Sequence, residues 1–91
     1  MKQIVINNHK YELIENDDCF VLEDILDRVT DYFDEFDYIF GDYAYEKVRL
    51  KGFYDSNHSK VKSYNDIKNL DCYKKEYCSY GSRMFLLKKI S

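Results

Sequence analysis

Leu22, Ile25, Leu26, Val29, Tyr32, Phe33 and Phe36 recur three and four residues apart, the spacing of one apolar stripe on an α-helix. The stripe spans about four turns at 3.6 residues per turn. Its opposite side carries Glu23, Asp24, Asp27, Asp31, Asp34 and Glu35. A helix of this kind is stable in water only when the apolar stripe is buried, so the remaining chain must supply an apolar surface that fits it.

That surface is a sheet. Glu46 to Tyr54 alternates, with Val48, Leu50 and Tyr54 on one side and Lys47, Arg49, Lys51 and Phe53 on the other. Gln3 to Ile6 and Lys10 to Ile14 alternate around Asn7-Asn8-His9. Asn tolerates the positive φ of tight turns, so a hairpin pairing Ile6 with Tyr11 and Ile4 with Leu13 is expected. Tyr38 to Phe40 reads as a short strand and Gly41 to Glu46 as a connection. Asp55 to Ser63 is polar, and Ser63 with Asp66 has capping-box spacing. Ile67, Leu70, Tyr73 or Lys74, and Tyr77 follow as a second, weaker helix that Gly81 would stop. Arg83 to Ile90, apolar on both sides at Met84 to Leu87, suits a central strand. The expected fold class is α+β: a two-layer sandwich in the order ββαββαβ, with a mostly antiparallel sheet carrying both helices on one face.

The chain has 91 residues, room for one domain and one core over residues 1–91. Its longest apolar runs are four residues, too short for a membrane-spanning helix. Met1-Lys2 and the brief Ile4 to Ile6 run lack the layout of a signal peptide, so a cytoplasmic setting is expected. Charge is segregated. Residues 1–11 carry +2, residues 12–46 carry −12 with Arg28 as their lone base, and residues 47–91 carry +7. Such blocks create fields that select partners.

No nucleophile elbow, P-loop or paired-histidine zinc motif occurs. His9 and His58 stand without Cys or acid at ligand spacing. No enzyme activity, metal or cofactor is therefore expected. Two blocks carry a resemblance. Asp37-Tyr38-Ile39-Phe40-Gly41-Asp42 is followed by Val48-Arg49-Leu50-Lys51-Gly52-Phe53-Tyr54. Further on stand Tyr77-Cys78, Gly81 and Phe85-Leu86-Leu87-Lys88-Lys89. Together they resemble the YutD-like family of small proteins from low-GC Gram-positive bacteria and their relatives. Tyr43-Ala44 departs from that pattern, where Trp or another aromatic and then Gly are expected. The resemblance implies an α+β fold and a bacterial cytosolic setting, and it brings no activity with it.

Function is therefore read as binding, on either of two surfaces. The first is nucleic-acid binding to RNA or a ribonucleoprotein through Lys47, Arg49, Lys51, Phe53 and Arg83, where cations meet phosphates and Phe53 stacks on a base. Lys51-Gly52-Phe53 matches the start of the RNP1 pattern, but Tyr54-Asp55-Ser56 does not continue it. The second is an adaptor that docks the acidic face, Asp24, Asp27, Asp31 and Glu35, on a basic protein partner. Like-charge pairs at i,i+4 such as Asp27–Asp31 and Asp31–Glu35 each cost about 0.2–0.5 kcal/mol in a helix, a cost that a basic partner would relieve.

Cys19, Cys72 and Cys78 form neither a zinc spacing nor an even disulfide set. In a reducing compartment all three stay thiols, and titration under non-reducing denaturing conditions should count three. A count of one would overturn both the reduced state and the cytoplasmic assignment.

Overall fold

A computed structural model describes residues 2–6, 8–16, 22–44, 47–77 and 83–90. Five strands form one antiparallel sheet: β1 (Lys2–Ile6), β2 (His9–Asn16), β3 (Tyr38–Ala44), β4 (Lys47–Phe53) and β5 (Arg83–Lys89). Their order across the sheet is β1-β2-β5-β3-β4. The last strand in sequence thus lies in the middle, as its two-sided apolarity requires. Phe85 and Leu87 are buried on one face and Leu86 on the other.

The first hairpin turns at Asn8, whose φ is 67°, and pairs Ile6 with His9 and Ile4 with Tyr11. The register is two residues tighter than expected. Because side chains alternate with period two, the shift leaves Ile4, Ile6, Tyr11 and Leu13 on the same face. β3 runs on through Gly41 to Ala44, where a connection was expected, because Gly41 lies under the Phe85 ring. Any β-carbon at Gly41 would land on that ring.

The two-layer sandwich with both helices on one face is overturned. The segment expected to be one long helix is a single-turn α1 (Leu22–Leu26), then a break, then a 3-10 turn at Asp31–Phe33. Thr30 is extended, at φ −100° and ψ −177°. Two adjacent β-branched residues, Val29 and Thr30, amid Asp residues of low helix propensity and mutual repulsion make this the weakest point for a helix. Ile25, Val29, Phe33 and Phe36 still pack, with Ile4, Ile6, Tyr11, Ile39, Val48, Phe85 and Leu87. Leu26 and Tyr32 leave the stripe and stand 46% and 66% exposed.

The second helix, α2 (Leu70–Tyr77), lies on the opposite face. Its Leu70 and Tyr73 cover Phe40, Phe53 and Leu86. The sheet is therefore apolar on both faces, with a short helical piece on each.

The 55–66 connection is tied down by its own polar groups. Tyr54 N–H donates to Asn65 O at 2.7 Å and Ile67 N–H to Tyr54 O at 3.0 Å, extending β4 by one parallel bridge to Asp66. Asp66 accepts from Ser56 Oγ at 2.6 Å and from Lys68 N–H at 3.0 Å. It caps the 3-10 turn Ile67–Asn69 that leads into α2. The side chain that closes back on the preceding backbone is Asn65, whose Oδ1 accepts from Lys62 N–H, and not the Ser63–Asp66 pair. Gly81, Cys19 and Cys78 lie outside the described residues.

Two substitutions probe this core from opposite directions. Tyr11 is fully buried, and its hydroxyl meets no protein partner among the described residues. Tyr11→Phe should leave the urea midpoint unchanged or raise stability by about 1 kcal/mol, and a clear loss would reveal a hydrogen bond there. Gly52 lies under Phe36, with no room for a β-carbon. Gly52→Ala should destabilise by about 1–3 kcal/mol in the same assay.

Candidate functional site

Lys47, Arg49, Lys51 and Phe53 do lie on one face of β4, opposite Val48, Leu50 and Tyr54. Their surroundings differ: Lys47 and Arg49 are exposed, and Phe53 is buried. Arg49 and Asp42 are directly paired in the β3–β4 register. Arg49 donates from Nε to Asp42 Oδ1 at 3.1 Å and from Nη2 to Oδ2 at 2.5 Å. The Asp42 residue is only 3% exposed, so its carboxylate depends on that guanidinium for compensation. Phe53 is 1% exposed and meets Tyr73 and Phe40 edge to face, at centroid distances of 5.5 and 6.4 Å. A ring so covered stacks on nothing from outside. Arg83 pairs with Tyr43 in the β3–β5 register. It shares the face of Tyr43 and Phe85, opposite to Lys51.

Lys51 has the most distinctive surroundings of the set. Its Nζ stands 5.3 Å from the Phe53 centroid, 5.8 Å from Tyr64 and 5.9 Å from Tyr73. No carboxylate among the described residues lies within ion-pair distance of it. Burial pushes its ammonium below the ordinary lysine value. The ammonium opens into a groove of about 620 Å³ between β4, the 3-10 turn Ser63–Asn65 and α2. Tyr64 and Tyr73 line it, with Asn69, Cys72 and Glu76. Cys72 is exposed. Lys51 was legible in the sequence as a cation. Tyr64 and Tyr73 were not, because nothing local ties a turn and a helix to a strand residue more than a dozen positions earlier. Asp42 had a signal: it stands opposite Arg49 once Tyr38 to Phe53 is folded as a hairpin.

The acidic segment is divided by the break at Thr30. Asp24 lies in α1, and Glu23, Asp27 and Asp31 are exposed. Glu35 is engaged within the fold: Tyr54 Oη donates to its Oε1 at 2.8 Å and Lys60 Nζ to its Oε2 at 3.1 Å. These bonds hold the Glu35 carboxyl below its usual range. Burial, and next the bond to Glu35, push the Tyr54 phenol up to about 12. Asp34 lies 3.5 Å from His9 Nε2, and Lys89 Nζ donates to the Asp34 carbonyl at 2.6 Å. His58 stacks on Tyr54 at 4.2 Å. Among the described residues, no group of three or more His, Cys, Asp and Glu could hold a metal ion. No described helix is long and apolar enough to cross a membrane.

Comparison with known proteins places these features in a family. Residues 5–88 match the family described as "Putative antitoxin YutD-like". A relative in Bacillus subtilis (strain 168), "Putative antitoxin YutD", is 41% identical over 88 residues, covering 96% of this chain and 97% of its own length. The solution NMR structure of protein yutD from B. subtilis superposes with a TM-score of 0.80 at 40% identity. That alignment covers 99% of this chain and 83% of the other. The family's description names no reaction, and the described parts of the two sequence blocks that pointed to it include the paired strands β3 and β4, with their Asp42–Arg49 pair, and the central strand β5. The chain belongs to the YutD-like family.

Proposed function

We propose that this chain is a cytosolic protein antitoxin that works by binding, without catalysing a reaction. Its acidic α1 and 3-10 segment would cover a basic surface on a toxin protein. The relatives' description, "Putative antitoxin", suggests the class of partner. The observation that carries the surface is the mixture of side chains there. Glu23, Asp27 and Asp31 are exposed on the same segment as the exposed apolar side chains of Leu26 and Tyr32. Apolar anchors supply most of the affinity at a protein interface, and surrounding charges set association rate and partner choice. Both leave apolar area open to solvent, Tyr32 while one side of its ring meets Phe33 and Phe36 at centroid distances of 5.1 and 5.3 Å.

The reading of Lys47, Arg49, Lys51, Phe53 and Arg83 as an RNA surface has less support. Phe53 is covered, Arg49 is paired with Asp42, and Arg83 lies on the other face.

The test is genetic first and biochemical second. Depleting the protein in its own host should arrest growth, and loss-of-function mutations in the toxin gene should suppress the arrest. Wild type and Lys47→Glu should restore growth, whereas Asp27→Lys/Asp31→Lys should not. With the toxin so identified, that double variant should associate tenfold or more slowly at low salt, a difference that added salt shrinks. Full rescue by the double variant rejects the acidic surface. Normal growth after depletion rejects the antitoxin reading.

A further inference from the structure

The groove beside Lys51 is separate from the acidic surface and shares only Lys51 with the basic set. It lies on the α2 face, across the sheet from the acidic segment. Its volume of about 620 Å³ falls within the range of small-ligand pockets, about 300–1,000 Å³. We propose that it binds a small planar aromatic anion, with the ring against Tyr64 and Tyr73 and a phosphate or carboxylate on Lys51 Nζ.

Three observations carry this. The Lys51 ammonium is half-buried among three rings and has no ion-pair partner among the described residues. A cation so placed has lost part of its hydration, and an entering anion restores the missing counter-charge. Tyr64 is 65% exposed and lines the groove with its ring, a sequence-independent stacking platform. Asn69 is held in place, its Nδ2 donating to Ser63 O at 3.0 Å, so a polar amide is preorganised on the same wall. Glu76, the carboxylate in the lining, is exposed and screened by water, whereas Lys51 acts from a less screened position. Lys51 Nζ stands 5.8 and 5.9 Å from the Tyr64 and Tyr73 centroids, so an anion without a ring leaves the tyrosines unused, and a ring without an anion leaves the cation without a counter-charge.

Titration of the ¹⁵N-labelled full chain, followed by NMR, tests this with four probes: uridine 5′-monophosphate, N-acetyltryptophan, uridine and inorganic phosphate. One or both ring-bearing anions should shift the amides of Lys51, Tyr64 and Tyr73 saturably. Uridine and inorganic phosphate should each bind at least tenfold more weakly. Saturation by the nucleotide alone assigns a phosphate ligand, and by N-acetyltryptophan alone a carboxylate. Lys51→Met keeps the side-chain stem over the rings and removes the charge, and it should weaken binding tenfold or more. Tyr64→Ala changes an exposed side chain and should weaken binding roughly tenfold through lost stacking. No saturable shift with either anion would overturn the proposal. Equal binding of uridine, or unchanged affinity in both variants with native spectra, would do the same.

Discussion

The pairing of β5 with β2 on one side and β3 on the other joins two hairpins that would otherwise stand apart. A two-stranded hairpin in water is marginally stable at best. Neither β1–β2 nor β3–β4 has the area to persist alone. The strand that unites them comes last in the chain and must close a loop of dozens of residues to reach its place, a non-local step that slows folding. Because β5 is flanked on both edges, its Phe85, Leu86 and Leu87 need cover on both faces. The α1 segment covers one face and α2 the other. The position of α2 in turn buries Phe53 and builds the wall of the groove at Lys51.

The period-two signals in the sequence were trustworthy because they concern one strand at a time. They give the two sides of β4, the common face of the first hairpin despite a shifted register, and the central place of β5. What failed required information from across the fold. The apolar spacing from Leu22 to Phe36 is met by a helical turn, a break and a 3-10 turn as well as by one helix, because all bring residues three and four apart to one side. Only the extended Thr30 decides between them. The alternation in β4 likewise separates two faces without saying that both are buried at Phe53. A basic row with an aromatic at its end reads as an open surface until α2 is laid over it.

The electrostatics follow the same division between local and tertiary. In a continuous helix the acidic row would be a sum of like-charge pairs with Arg28 as the lone local base. The folded chain breaks that helix and brings Lys60 to Glu35 and His9 to Asp34 from distant segments. The Glu35 carboxyl is held low first by the Tyr54 hydroxyl and then by Lys60. The Asp66 carboxyl is held low first by Ser56, against the opposing effect of its burial. A carboxyl whose folded value is depressed stabilises the fold above its unfolded value and loses that contribution as pH falls through the folded one. Both groups anchor the 55–66 connection, Glu35 through Tyr54 and Lys60 and Asp66 through Ser56. Falling pH therefore weakens both anchors of that connection.

The two candidate surfaces meet in the chain at one peptide step. Phe53 points to the α2 face and lies beneath Lys51, whereas Tyr54 points to the α1 face and donates to Glu35. Sequence adjacency does not couple them. β4 is held along its length by β3, and neither Phe53 nor Tyr54 has room to rearrange, being 1% and 4% exposed. Coupling requires an element with two arrangements whose balance both ligands bias, and a packed strand offers one. An anion at Lys51 and a basic partner at Asp27 and Asp31 should therefore bind with additive free energies. The sheet separates the Lys51 cation on one face from the acids on the other, opposite charges that would otherwise screen one another.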